Sequence, residues 1–125
     1  MIVGAAQIDT TPTKTVELSG FAARQQPMTG VLDPIFAKAL YLSDGGEKLL
    51  WVHIDALALS AEFVSQFREW ALREHHISHV LLSATHTHAA PALVPERLEA
   101  PGASMARDRQ MPWRWREDGR ARACR

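Results

Sequence analysis

The sequence predicts an α/β fold: a mixed β-sheet with at least one crossover helix. Three features carry this expectation. Apolar stretches follow in the order strand, hairpin, helix, strand; an Asp-Gly-Gly turn joins two of them; and one amphipathic segment is flanked by strands. Residues 2–8 are the first stretch, rich in small and β-branched side chains and ended by Asp9-Thr10-Thr11-Pro12. Proline and the polar cluster around it stop a strand and start a loop. Asp9 there reads as a turn former, because its short carboxylate bonds to backbone N–H groups just ahead of it. Residues 35–42 and 47–57 are apolar runs around Ser43-Asp44-Gly45-Gly46, the pattern of a β-hairpin. His53 lies mid-strand, where a hydrogen-bonded core or sheet-surface residue is a simpler role than a ligand. Asp55 comes just after the strand and reads as a cap for the next loop or helix; a carboxylate there could instead orient a metal-bound histidine.

Residues 60–76 are the predicted helix. Phe63, Val64, Phe67, Trp70 and Ala71 recur on one face. Ser60 stands at the N-cap, and Glu62 in the first turn, where a carboxylate favours the helix dipole. His75 and His76 fall in the last turn and are expected to face water. Residues 79–84 form a short strand that runs into Thr85-His86-Thr87-His88. A helix between two strands implies a parallel crossover there.

A chain of 125 residues fits one domain, and its 14 Lys+Arg balance 14 Asp+Glu, which argues against a general polyanion binder. The single cysteine, Cys124, excludes an intramolecular disulfide and is expected to be an incidental thiol. No apolar run approaches the roughly 20 residues of a membrane span. The first residues lack the basic and long apolar regions of a secretory signal. The neutral total is a cancellation. Residues 1–95 hold six basic residues against nine acidic; residues 96–125 hold eight Arg and no Lys against five acidic. That second segment has a single Leu, Leu98, and no Val, Ile or Phe. It can bury too little surface to offset its ordering entropy, so a disordered Arg-rich tail is expected over 96–125. Trp113-Arg114-Trp115-Arg116 interleaves stacking rings with guanidinium groups, as single-strand binders do. Glu117-Asp118 come at once after it, however, and so small a net charge is weak against a polyanion, so no nucleic-acid partner is expected.

The chemistry-bearing element is His86-Thr87-His88 at the end of the last strand. On an extended chain, imidazoles two residues apart point to one side and can converge on one ion. Catalytic zinc takes three protein ligands and leaves a position open for a water that it activates. Two readings stand for the pair alone: a metal site, or two loop histidines facing water. Glu96 and Glu99 are the nearest carboxylates downstream that could add a ligand.

Several segments, in order, carry a resemblance. Gly4-Ala5-Ala6-Gln7-Ile8-Asp9-Thr10-Thr11-Pro12 resembles the GxAxxDITP opening of the neutral/alkaline (non-lysosomal) ceramidase family. Leu18-Ser19-Gly20-Phe21 is similar to that family's leucine-glycine-aromatic segment, and Thr29-Gly30-Val31-Leu32-Asp33-Pro34 comes after it. Phe36-Ala37-Lys38-Ala39-Leu40 resembles its "ARAL" strand, and Val52-His53-Ile54-Asp55-Ala56-Leu57 the strand that ends in Asp. Leu82-Ser83-Ala84-Thr85-His86-Thr87-His88-Ala89-Ala90-Pro91 resembles its SATHTHSGP motif. The resemblance spans about residues 3–95.

The resemblance implies that His86 is a zinc ligand, and that His88 lies beside the metal and contacts the reacting amide or its oxyanion. It implies hydrolysis of the amide bond of ceramide, or of a related lipid amide, by a zinc-activated water. The family's other ligands, a second His, a Glu and a Tyr, come far downstream of the motif. On that basis residues 1–95 are expected to be the N-terminal part of a catalytic domain, an incomplete domain with little or no activity alone. The Arg-rich, Lys-free tail is expected to be a frameshift product. Gly20 and Phe21 read either as pocket wall or, more simply, as a turn beside a core aromatic. Exposed strand edges and apolar faces imply poor solubility. Two rival metal readings, a metallo-β-lactamase-like and an amidohydrolase-like pair, fit less well. The former wants Asp and His where Ala90 and Pro91 stand, and the latter wants the pair after a first strand. A non-catalytic truncated domain is the reading from another class.

Overall fold

The computed structural model describes residues 1–21 and 23–91, together with the backbone of two short strands further on. The main sheet has four strands in sequence order: β1 (Ile2–Asp9), β2 (Phe36–Ser43), β3 (Lys48–Ile54) and β4 (His79–Ala84). β1–β2 and β2–β3 are antiparallel, and β3–β4 is parallel. Helix α1 (Ala61–His75) makes the crossover between the parallel pair. The fold is thus the mixed α/β sheet that the order of apolar stretches predicts.

Local chemistry explains each boundary. In the β2–β3 turn, Asp44 Oδ1 accepts from the backbone N–H groups of Gly46 and Glu47, both at 2.9 Å. Those two bonds hold the Asp44 carboxyl below its ordinary range. Gly45 adopts φ 104°, a region glycine enters without steric cost. At the end of β1, Asp9 Oδ1 accepts from Thr11 N at 2.8 Å, the turn-forming role read from its sequence context. The Thr11 hydroxyl and then its backbone N–H lower the Asp9 carboxyl.

Ser60 caps α1 as expected: its backbone is extended and its Oγ accepts from Phe63 N at 3.1 Å. At the other end, His76 takes φ 54°, and the N–H groups of His76 and Ile77 close on Leu72 O and Ala71 O. His76 is exposed. His75 is exposed as expected, and it also sets its ring edge-on to Trp70, with centroids 4.6 Å apart. Phe67 and Ala71 of the predicted apolar face are buried against Val52, Ile54 and Val80, with Phe63 and Trp70 at the margin.

Because strand side chains alternate, Val52 and Ile54 face α1 while Leu49, Trp51 and His53 face the other way. Trp51 is 45% exposed and its register neighbour Leu81 is 52% exposed, so that second face lies open. On it, Trp51 Nε1 donates to Ser83 Oγ at 2.9 Å, and Ser83 Oγ lies 2.8 Å from His53 Nδ1. His53 is therefore the hydrogen-bonded sheet residue that its mid-strand position predicts.

Near the C-terminus, β5 (Trp113–Trp115) pairs antiparallel with β6 (Ala121–Ala123), Arg114 opposite Arg122. Both fall within the segment 96–125 for which disorder is expected. The rest of that segment, with Glu96, Glu99 and Cys124, lies outside the described residues. Among the described residues no helix is long and apolar enough to cross a membrane.

Candidate functional site

Parallel pairing of β3 with β4 brings their C-terminal ends together, the edge of an open α/β sheet where ligands characteristically bind. The ladder runs one residue past β4, where Thr85 N donates to Ile54 O at 3.0 Å. His86 then turns sharply into the left-handed region, φ 60°. An extended path through His86-Thr87-His88, expected from the strand before it, is therefore not the one that forms. The two rings still meet, with centroids 5.2 Å apart at 71°. A left-handed non-glycine residue is strained, and such strain persists only where surrounding contacts hold it.

One contact in particular holds it. His86 Nδ1 lies 2.9 Å from the carbonyl oxygen of Leu57, in the loop after β3. A carbonyl can only accept, so Nδ1 carries the proton and donates; in the neutral ring, Nε2 keeps a free lone pair. Metal-binding histidines are oriented in this manner, one nitrogen tied to a backbone carbonyl and the other offered to the ion. Both His86 and His88 are exposed, so both rings are accessible.

A second segment, residues 18–21 and 23–24, lies across the loop. Leu18 forms an isolated bridge to Pro91, and Ser19 donates from both N and Oγ to Ala90 O, at 2.9 and 3.1 Å. Gly20 sits against the His88 ring: a Cβ there would lie 2.7 Å from His88 Cγ and 2.9 Å from Leu57 Cδ1. Its φ of 88° also requires glycine. Arg24 Nη2 donates to His88 O at 2.9 Å. Within the loop, Thr87 Oγ1 accepts from Ala89 N at 3.2 Å.

Other candidates have different roles. Asp55 neither caps the next loop or helix nor orients a histidine. Its Oδ2 accepts from Phe36 N at 2.8 Å while its own N donates to Phe36 O, a reciprocal pair that ties the start of β2 to the end of β3. Gly20 makes the predicted turn, but Phe21 is 60% exposed and so is no core aromatic. Among the described residues, no group of three His, Cys, Asp or Glu is placed to hold a metal. Leu57, Ser19 and Arg24 are site residues that sequence reasoning missed. Leu57 acts through a carbonyl that every residue possesses, so no side-chain signal could have marked it. Arg24 left one faint trace, the only cation between Lys14 and Lys38.

Comparison with known proteins places this geometry. Residues 1–107 match the family described as neutral/alkaline non-lysosomal ceramidase, N-terminal. Among solved structures, the chain is similar to the neutral ceramidase from Pseudomonas aeruginosa, at 22% identity with a TM-score of 0.61, over 72% of this chain and 15% of that one. A ceramidase complexed with C2 gives the same values, 22% identity and TM-score 0.61, over 72% and 15%. At this identity the likeness speaks for the fold. The chain spans about 15% of the length of these structures. No curated protein sequence matches it. By the extent of the family match, the chain belongs to the neutral/alkaline non-lysosomal ceramidase family, to its N-terminal part.

Proposed function

We propose that the chain supplies part of a zinc-dependent amidase centre, with His86 as a metal ligand through Nε2 and His88 as the residue beside the metal that contacts the reacting amide or its oxyanion. The substrate class is a lipid amide, ceramide-like, cleaved by water to a long-chain amine and a fatty acid. Zinc, when bound, supplies a Lewis acid that activates water and polarises the carbonyl. The observation that carries this reading is the His86 Nδ1 bond to Leu57 O, which in the neutral ring turns the Nε2 lone pair toward an incoming ion. The His88 ring lies 5.2 Å from that of His86, a proximity that supports its role beside the metal. Catalytic zinc needs three protein ligands, and the described residues supply one in this reading, so the chain alone is expected to show little or no hydrolysis.

The test is a zinc titration of the full chain followed by nitrogen NMR of the imidazole rings. His86 Nε2 is expected to shift on zinc addition while Nδ1 stays protonated, and His86→Ala is expected to weaken zinc binding at least about tenfold, or about 1.4 kcal/mol. Equal zinc affinity in the wild type and His86→Ala would sink the assignment.

A further inference from the structure

Past Thr85, the chain leaves the sheet, so its backbone groups lose their ladder partners and must find others. For Ala90 O the partner is Ser19. For His88 O it is a cation, the Arg24 guanidinium, with Nη2 at 2.9 Å. A hydrogen bond from a charged donor is stronger than a neutral one. Arg24 is itself fixed, since its N–H donates to Phe21 O at 2.9 Å and closes the turn that carries it. The other terminal nitrogen, Nη1, is buried and has no hydrogen-bond partner among the described residues. A buried donor without an acceptor costs stability. The guanidinium therefore carries a local penalty, and its clear compensation is the bond to His88 O.

We propose that Arg24 is a positioning residue for His88: its guanidinium grips the His88 carbonyl and thereby sets the backbone from which the imidazole is aimed at the space beside His86. Gly20 completes the arrangement from the other side. Its missing Cβ lets this segment lie close enough for the ring to rest on the Gly20 backbone and for Arg24 to reach the carbonyl. His86 is held separately, by Leu57 O, so the two histidines are aimed by two different segments of chain. The inference rests on the proposed role of His88 for its meaning in catalysis, but its geometry does not depend on any metal.

The experiment uses the full chain without metal and compares wild type, Arg24→Met and Arg24→Lys. Met keeps much of the apolar stem and lacks the donors; Lys keeps a charged donor. In Arg24→Met, the proton–proton contact between the His88 ring and Gly20 is expected to vanish and the His88 ring signals to broaden. The His86 Nδ1–H signal and the amide pattern of β3 and β4 are expected to stay as in wild type. Arg24→Lys is expected to restore the His88–Gly20 contact. An unchanged His88 contact in Arg24→Met overturns the proposal, and so does a change that spreads equally to His86 and β4, which would mark a general structural role. Should Arg24→Met fail to fold, Arg24→Lys decides alone: an unrestored His88 contact in that folded variant overturns it. Failure of the zinc reading shows separately, as an absent zinc response at His86 in wild type while the Arg24 effect on His88 remains.

Discussion

His86 combines a left-handed backbone, φ 60°, with a ring nitrogen tied to Leu57 O at 2.9 Å. The single bond defines the tautomer, and the tautomer decides which nitrogen can meet an ion. Nothing in a His-Thr-His string foretells this; the carbonyl belongs to a loop far away in sequence. Gly20 shows the same dependence from the other side of the site. Its sequence neighbours mark a turn, yet the group that forbids any side chain there is His88, whose Cγ would lie 2.7 Å from an added Cβ. Gly20→Ala is therefore expected to destabilise the fold by more than about 1 kcal/mol, since both the positive φ and the contact oppose it. Urea denaturation checks the magnitude. Loss of the His88 ring contact in the folded fraction checks the cause.

At the scale of elements, most of the structure follows from local rules. Ser60 is extended and bonds Phe63 N, so Ser60→Ala is expected to cost about 1 kcal/mol through the lost cap, measurable as a lower denaturation midpoint. The β2–β3 hairpin turns on Asp44, whose carboxylate accepts two backbone N–H bonds and is thereby held below its ordinary range. A folded-state value below the unfolded one adds stability above the unfolded pKa and loses it as pH falls through the folded one. Asp44→Ala is therefore expected to lower the melting temperature at neutral pH. The gap to wild type should begin to close as pH falls below about 4, where the unfolded state takes up a proton, and vanish only once pH is below the lowered folded value as well. A gap that stays constant down to acid pH would show that the carboxylate charge plays no part in the turn. Strands and helix were legible because hairpin, cap and amphipathic face are all short-range patterns. His75 was not, because its ring contact with Trp70 depends on how the helix end packs.

Across the whole molecule, α1 covers one face of the sheet, against Val52, Ile54 and Val80, and leaves the other open. Trp51 and Leu81 stand there as neighbours, 45% and 52% exposed. β1 adds an edge strand with Ile2, Val3 and Ile8 exposed. Contiguous apolar surface and an unpaired edge both favour association. The folded chain is expected to bind a hydrophobic dye and to sediment with increasing mass as concentration rises. A double Trp51→Lys, Leu81→Lys variant should reduce both signals, since each position is solvent-exposed. Unchanged dye binding in that variant would place the sticky surface elsewhere.

By itself the sequence determined the kinds and order of the elements of the main sheet, the Ser60 cap and the family, because periodicity, turn chemistry and short motifs act over a few residues and leave their mark in the string; β5 and β6 were not legible in it. It also singled out His86 and His88 as the candidate centre. Only the tertiary structure decided that His86 leaves the extended path, that Leu57 O assigns its proton, and that Ser19, Gly20 and Arg24 brace the loop beside it. The physical reason is the same in each case. The parallel β3–β4 pairing brings Leu57 O to His86, and residues 18–21 and 23–24 bring donors and a bare glycine backbone to the histidine loop, and no such long-range pairing leaves a mark in the local string.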